Sequence, residues 1–251
     1  MLKKKLLVVA LAASFAASAA AEDLTFSSNV AITSDYLFRG ISQTGTNPAL
    51  QGGFDAAHAS GLYAGVWGSN ISWLSDAGVA TRASVELDTY VGFRGSYGED
   101  FTYDAGYLRY NYPGSYGGAT KADTDELYGA VGYKWVTAKY SYSLGDTFGV
   151  NDASGTDYLE LNASLPLADF GITDTGITFS AHLGRQEYSG ANKGAGATNL
   201  SYTDYKLAVS KDFGGYLFAL AYSDTNASTA YTVLGKDLGQ STAVVSMSRS
   251  F

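Results

Sequence analysis

Extended segments in which one side is oily and the other carries the charges recur along this chain, and they constrain its fold more than any other feature. Leu159, Leu161, Ala163 and Leu165 alternate with Tyr158, Glu160, Asn162 and Ser164. Val136, Ala138, Tyr140, Tyr142 and Leu144 alternate with Thr137, Lys139, Ser141 and Ser143. Ile177, Phe179, Ala181 and Leu183 oppose Thr178, Ser180, His182 and Gly184, and Tyr205, Leu207 and Val209 oppose Asp204, Lys206, Ser210 and Asp212. Further upstream, Ala83, Val85, Leu87, Val91 and Phe93 oppose Arg82, Ser84, Glu86, Asp88 and Arg94. A period of two places alternate side chains on opposite faces of a strand. An Arg or Lys facing lipid at mid-membrane costs roughly 2–4 kcal/mol, so charges gathered on one side imply lipid on the other. The expected fold is all-β: a transmembrane antiparallel up-and-down β-barrel.

A helical membrane bundle is excluded by the longest apolar run after residue 21, Tyr216-Leu-Phe-Ala-Leu-Ala-Tyr222, which falls far short of the roughly 20 residues a spanning helix needs. Twelve strands are expected, near 24–40, 50–59, 62–73, 80–95, 101–113, 124–135, 136–147, 156–166, 175–188, 201–212, 215–225 and 241–251. Short turns near Ser60, Gly98, Trp135, Phe170 and Gly214 alternate with longer polar loops near Gly45, Ser75, Ala119, Asn151, Asn192 and Lys236. That asymmetry is the one bacterial barrels show between periplasmic turns and outer loops. Twelve strands leave about 19 residues for each crossing and its connection, enough for 9–11 in the membrane. Ten and fourteen also fit. In Phe101–Tyr110 the charges Asp104 and Arg109 have opposite parity, so either a bulge intervenes or Arg109 sits above the membrane. His58 has no firm placement.

The two ends carry export and assembly signals. Lys3, Lys4 and Lys5, the apolar stretch Leu6–Phe15 and the small residues Ala19–Ala21 predict a cleaved secretory signal over residues 1–21 and one mature domain over 22–251. Losing the three lysines leaves 13 bases against 24 acids, a net charge of −11. This argues against a nucleic-acid partner, which needs a basic surface. The absence of cysteine suits passage through an oxidising periplasm. The last segment, Ala243–Phe251, alternates like the others and finishes on an aromatic. A carboxy-terminal aromatic of this kind resembles the recognition signal of bacterial outer-membrane proteins, so Phe251 is expected to engage the barrel-assembly machinery. The 20 tyrosines suit both membrane–water interfaces, and the 30 glycines against 3 prolines suit turns and unbroken strand ladders.

Ser34-Asp-Tyr-Leu-Phe-Arg-Gly-Ile-Ser-Gln-Thr44, with Pro48-Ala and Gln51-Gly-Gly after it, resembles the start of the TorF-type putative porins. The stretch His58–Asn70 continues the likeness, as do Ala138–Ser143, Tyr202–Lys206 and Ala221–Asp224. The resemblance spans the mature chain and implies an outer-membrane barrel that passes small solutes or ions.

Catalysis has few parts to draw on. His58-Ala-Ser60 has the spacing of the His-x-Ser pair of outer-membrane phospholipases, but Gly61 follows where that pattern carries asparagine, and the pair falls at an expected periplasmic turn. His182 could partner Asp204 or Glu160 as an acid/base pair, although a hydrogen-bonded lumen histidine accounts for it as well. Asp123-Thr-Asp-Glu126 lacks calcium-loop spacing and reads as a solvated outer loop. No cofactor, metal site or catalytic residue is expected. The remaining candidates are the inward charges Arg82, Glu86, Asp88, Lys139, Glu160, His182, Asp204 and Lys206, read as pore lining. Two other readings stay open: a barrel whose interior charges pair across a closed lumen, and an outer-membrane hydrolase. The acidic excess, with Glu86, Asp88, Glu160 and Asp204 inward, predicts a mild cation preference. Oligomeric state and solute are not set by these patterns.

Overall fold

A computed structural model describes residues 23–172, 175–190 and 199–251; the expected signal segment 1–21 lies outside them. In chain order the strands are β1 (Leu24–Thr33), β2 (Leu37–Phe38), β3 (Ile41–Ser42), β4 (Ala49–His58), β5 (Leu62–Asn70), β6 (Val85–Tyr97), β7 (Phe101–Asn111) and β8 (Thr124–Tyr133). There follow β9 (Val136–Ser143), β10 (Asp157–Pro166), β11 (Ile177–Glu187), β12 (Tyr202–Phe213), β13 (Tyr216–Thr225), β14 (Thr232–Val233), β15 (Lys236–Asp237) and β16 (Thr242–Ser250). One helical turn, α1 (Trp73–Asp76), lies in an outer loop.

Twelve strands, β1, β4 to β13 and β16, form a closed antiparallel barrel in which each pairs with its sequence neighbours and β16 returns to β1. The seam runs from Asn29 opposite Ser250 to Thr33 opposite Ser246. Phe251 extends it, since its N–H donates to the Ser28 carbonyl at 2.9 Å and its own carbonyl accepts from Ser28 N–H at 3.1 Å. Closure leaves no unpaired backbone edge, the condition for crossing hydrocarbon with strands. The four two-residue strands form two hairpins, β2–β3 and β14–β15, in the loops.

The period-two expectation holds along the wall. On β10, Leu159 and Leu161 are exposed to the outside while Tyr158 is buried inward. Phe54, Val131, Leu207 and Val245 likewise lie exposed on the outer surface, where only a hydrocarbon solvent removes the cost of leaving them uncovered. Four connections at one end are short, at 59–61, 98–100, 134–135 and 214–215, and the fifth there opens with the helical turn 167–170. Gly214 and Gly215 have φ of +65° and +88°, the paired left-handed conformation of the two-residue hairpin turn whose twist matches its strands. The longer loops 34–48, 71–84, 112–123, 144–156 and 226–241 are at the opposite, outer end, and both described ends of the chain lie at the short-turn end.

Two sequence expectations need revision, and one open pair of alternatives is decided. Strand β6 begins at Val85, so Arg82 is an exposed residue of the outer loop 71–84, bridged through its backbone to Ser115. Its parity matched the strand, but the strand does not reach it, and Arg82 is not pore lining. The pairing of β6 with β7 runs without interruption from Leu87 opposite Asn111 to Tyr97 opposite Phe101, so no bulge separates Asp104 from Arg109. Arg109 projects outward near the outer rim, bonded to Asp125 at 2.8 Å and lying 3.6 Å from Asp123. Thirdly, the acidic stretch 123–126 is no solvated loop: Thr124 and Glu126 open β8 and are buried inward.

Tyrosine is also more than an interfacial residue here. Tyr63, Tyr90 and Tyr128 turn into the lumen opposite Gly92, Gly65 and Gly106 on neighbouring strands. A Cβ at any of these glycines would fall within 2.7 Å of the facing ring. Small inward positions thus make room for large ones, as the curvature of a narrow barrel requires.

Candidate functional site: a lumen plugged from its outer mouth

The lumen has two halves. The outer one is filled by the loop 34–48, which folds inward rather than standing clear of the barrel. Its residues Tyr36, Leu37, Phe38 and Ile41 are too apolar for solvent, and the β2–β3 hairpin carries them across the mouth. Tyr36, Ile71, Leu74, Tyr110, Tyr112 and Tyr116 form a buried cluster there, with Phe38, Trp67, Trp73 and Phe148 packed against it. The Phe38 ring meets those of Tyr110 and Phe148 edge-on, each with centroids 5.5 Å apart.

Arg39 and Gly40 make the tip of the hairpin, both left-handed, with φ of +47° and +80°. From this tip the Arg39 guanidinium donates to both Glu126 carboxylate oxygens on β8, at 2.7 and 3.0 Å, and to Gln186 Oε1 on β11 at 2.8 Å. It also stacks 4.3 Å from the centroid of Tyr158 on β10. The side chains of the Arg39–Glu126 pair are only 7% and 2% exposed, so the pair is held away from bulk water. Gly40 presses against the next two strands. A Cβ there would sit 2.5 Å from Thr225 Cγ2 and 2.7 Å from Asp204 Cβ, a space only glycine can use.

The base of the loop is fixed as firmly. Ser42 and Thr44 donate to Asp35 Oδ1 at 2.6 and 3.0 Å. The other oxygen, Asp35 Oδ2, is buried without a partner, and burial pushes this carboxyl above the usual carboxylate range despite those two bonds. Lys236 Nζ reaches the Gly45 carbonyl at 2.9 Å, and Ser42 N–H donates to Leu238 O at 2.9 Å. The loop 226–241 therefore clamps the plug from above.

Among the sequence candidates, Glu86 and Asp88 are inward but lie under this plug, 1% and 8% exposed. Tyr36 donates its hydroxyl proton to Glu86 Oε1 at 2.8 Å. These two carboxylates are part of the seat of the loop and do not face the open lumen.

The remaining five candidates meet in the middle of the barrel, around a cavity of about 260 Å³ roofed by Leu37, Phe38, Arg39 and Gly40. His182 is central. Its Nε2 lies 2.9 Å from Asp204 Oδ2 and its Nδ1 lies 2.7 Å from Asn162 Oδ1. Asn162 donates from Nδ2 to Glu160 Oε2 at 2.8 Å, which fixes its amide so that Oδ1 points at the imidazole. Both ring nitrogens thus face acceptors. Tyr158 donates to Asp204 at 2.7 Å. Lys139 lies 3.9 Å from Glu160 and 4.7 Å from the Tyr128 ring centroid. Lys206 is exposed to the lumen.

Further in, Tyr63 donates to Asp104 at 2.6 Å and bonds Tyr128, while Tyr90 donates to Asp55 at 2.6 Å. Arg94 stacks 4.7 Å from the Tyr63 ring centroid. Polar groups cross-link the inner wall without a loop covering it.

The hydrolase candidate is poorly equipped. His58 Nδ1 lies 2.8 Å from Ser60 Oγ, but it also accepts Ser60 N–H at 3.1 Å, and the pair sits exposed in the inner turn. That is a turn cap. Among the described residues no three His, Cys, Asp or Glu side chains gather as a metal site.

Residues 17–251 match the family described as "Bacterial protein of unknown function (Gcw_chp)". The chain belongs to that family. No curated protein matches it. Among solved structures it is similar to the KdgM porin, at a TM-score of 0.54 and 7% identity over 90% of this chain and 99% of that one. It is also similar to the NanC porin, at 0.50 and 10% identity over 90% and 98%. At such identities the likeness establishes the fold, a closed barrel of porin type.

The sequence pattern places Tyr36 and Arg39 at the end of a strand over 24–40 and Glu126 in a solvated loop, and gives Gln186 no role. The strand in fact ends at Thr33, and the following residues turn inward as the plug.

Proposed function

We propose that this family member is an outer-membrane channel for passive diffusion of small hydrophilic solutes or ions, with loop 34–48 as its constriction. The observation that carries the reading is a barrel with an apolar exterior and a polar, cavity-bearing interior, narrowed by an inward-folded loop. A purely structural barrel would need no charged lumen groups facing water, yet Lys139 and Lys206 do. Charge held near a narrow passage acts on entering ions more strongly than charge on a distant surface. The resemblance of Ser34–Thr44 to the TorF-type putative porins and the fold likeness to named porins agree with the channel reading. In the same reading, residues 1–21 direct export through the periplasm, and lipid surrounds the barrel. Phe251, at the seam, is the residue the assembly machinery recognises.

Planar-bilayer recording of the refolded full chain in potassium chloride tests it. Discrete, ohmic current steps are expected. Silent bilayers that contain folded, heat-modifiable barrel would overturn the proposal.

A further inference from the structure

The cavity beneath the plug has spent its acceptors and kept a donor. Asp204 accepts from Tyr158 through both oxygens and faces His182 through Oδ2. Glu160 accepts from Asn162 and faces Lys139. The Arg39 guanidinium is occupied by Glu126 and Gln186. Pairing these groups off leaves Lys206 on β12, next to His182 in the register, with no hydrogen bond or ion pair among the described residues. An ammonium has three donors and no acceptor, so what it lacks is an anion. The roof supplies the complementary feature, because Leu37 and Phe38 turn apolar surface toward the same space.

We propose that this cavity is a binding site for a short-chain monocarboxylate, its carboxylate on Lys206 and its apolar body under Leu37 and Phe38. One unpaired ammonium matches one carboxylate, and a cavity of about 260 Å³ limits the solute to a small one. His182, held by Asp204 and Asn162, forms the wall beside the carboxylate. The site deepens the channel reading and rests on it for its biological meaning, as a stop along the diffusion path. It also opposes the expected cation preference: Glu86 and Asp88 are covered, Glu160 and Asp204 are already hydrogen-bonded, and Lys206 is left unpaired in the cavity.

The probes are butyrate and its neutral isostere butyramide, titrated against the detergent-refolded full chain and read by line broadening of the ligand methyl resonance. Butyrate is expected to saturate, and butyramide to bind at least about tenfold more weakly, since one charge-assisted contact separates them. Lys206→Met should weaken butyrate by a similar factor and leave butyramide unchanged, with heat-modifiable migration confirming the fold. Arg82→Gln, in the outer loop, should bind butyrate as the parent does. Equal binding of the two probes, or an unaltered Lys206→Met, would overturn the site. A barrel that conducts in potassium chloride but does not bind butyrate refutes the site alone. One that binds butyrate but never conducts refutes the channel and leaves the site standing.

Discussion

The outer and inner halves of the lumen are built on the same alternating wall, yet they behave as different materials. In the outer half, inward side chains such as Glu86, Tyr110 and Glu126 meet loop 34–48 and are buried as in a soluble core. In the inner half, Tyr90, Asp104 and Arg94 bond or stack across the wall and are only half covered, with Tyr63 buried among them. A polar group buried in the first setting must be paired, and losing its partner is costly. In the second, water makes up most of the loss. The strand pattern is the same in both, so the difference comes from the loop that enters one end.

Substitutions at the tip should separate the halves most sharply. Arg39→Ala strands Glu126 in a dry site, at a cost of about 3–5 kcal/mol to the docked state of the loop. The expected result is larger, noisier single-channel current and protease cleavage within 34–48, while the barrel keeps its heat-modifiable migration. Unchanged current would mean that the two halves do not differ as described. Gly40→Ala should act in the same direction with less force. Its left-handed φ costs an alanine about 1–2 kcal/mol, and the contacts with Thr225 and Asp204 must yield besides. The comparison would be spoiled if Gly40→Ala loosened the plug more than Arg39→Ala.

The smallest effect concerns pH. The folded-state pKa of Asp35 is raised by burial, so the folded protein holds this proton more tightly than the unfolded chain. Its contribution to docking is present in full below the ordinary carboxylate value of 3.8 and is lost as pH rises through the folded value. Protease accessibility of loop 34–48 should therefore rise modestly from acid toward neutral pH, and Asp35→Asn should flatten that profile. The same slope in Asp35→Asn would assign the dependence to another group.

How much of this was legible in the sequence follows from distance along the chain. Strand faces, the count of twelve and the position of every short turn follow from a local period of two, and each barrel strand pairs with its immediate neighbours. His182, Asp204, Glu160, Lys139 and Lys206 could be brought together because each sits inside a clean alternation. Arg82 misled for the same reason, since the residues before Val85 keep the parity of a strand that has not begun. Arg39 and Glu126 are 87 residues apart, and nothing in either segment announces the other. Their pairing depends on a loop turning inward, which is a tertiary event with no periodic trace.

The plug's contacts also set an order of events. Arg39 awaits Glu126 and Gln186, Gly40 awaits Asp204 and Thr225, Ser42 awaits Leu238, and the wall around them closes only when Phe251 bonds to Ser28. The segment made among the first therefore finds its seat among the last. Contacts so distant along the chain are slow to form, because loop closure must precede any gain from them. Docking after closure would give the barrel a wide-bore stage, whose length is set by how fast fifteen residues of its own loop fall inward.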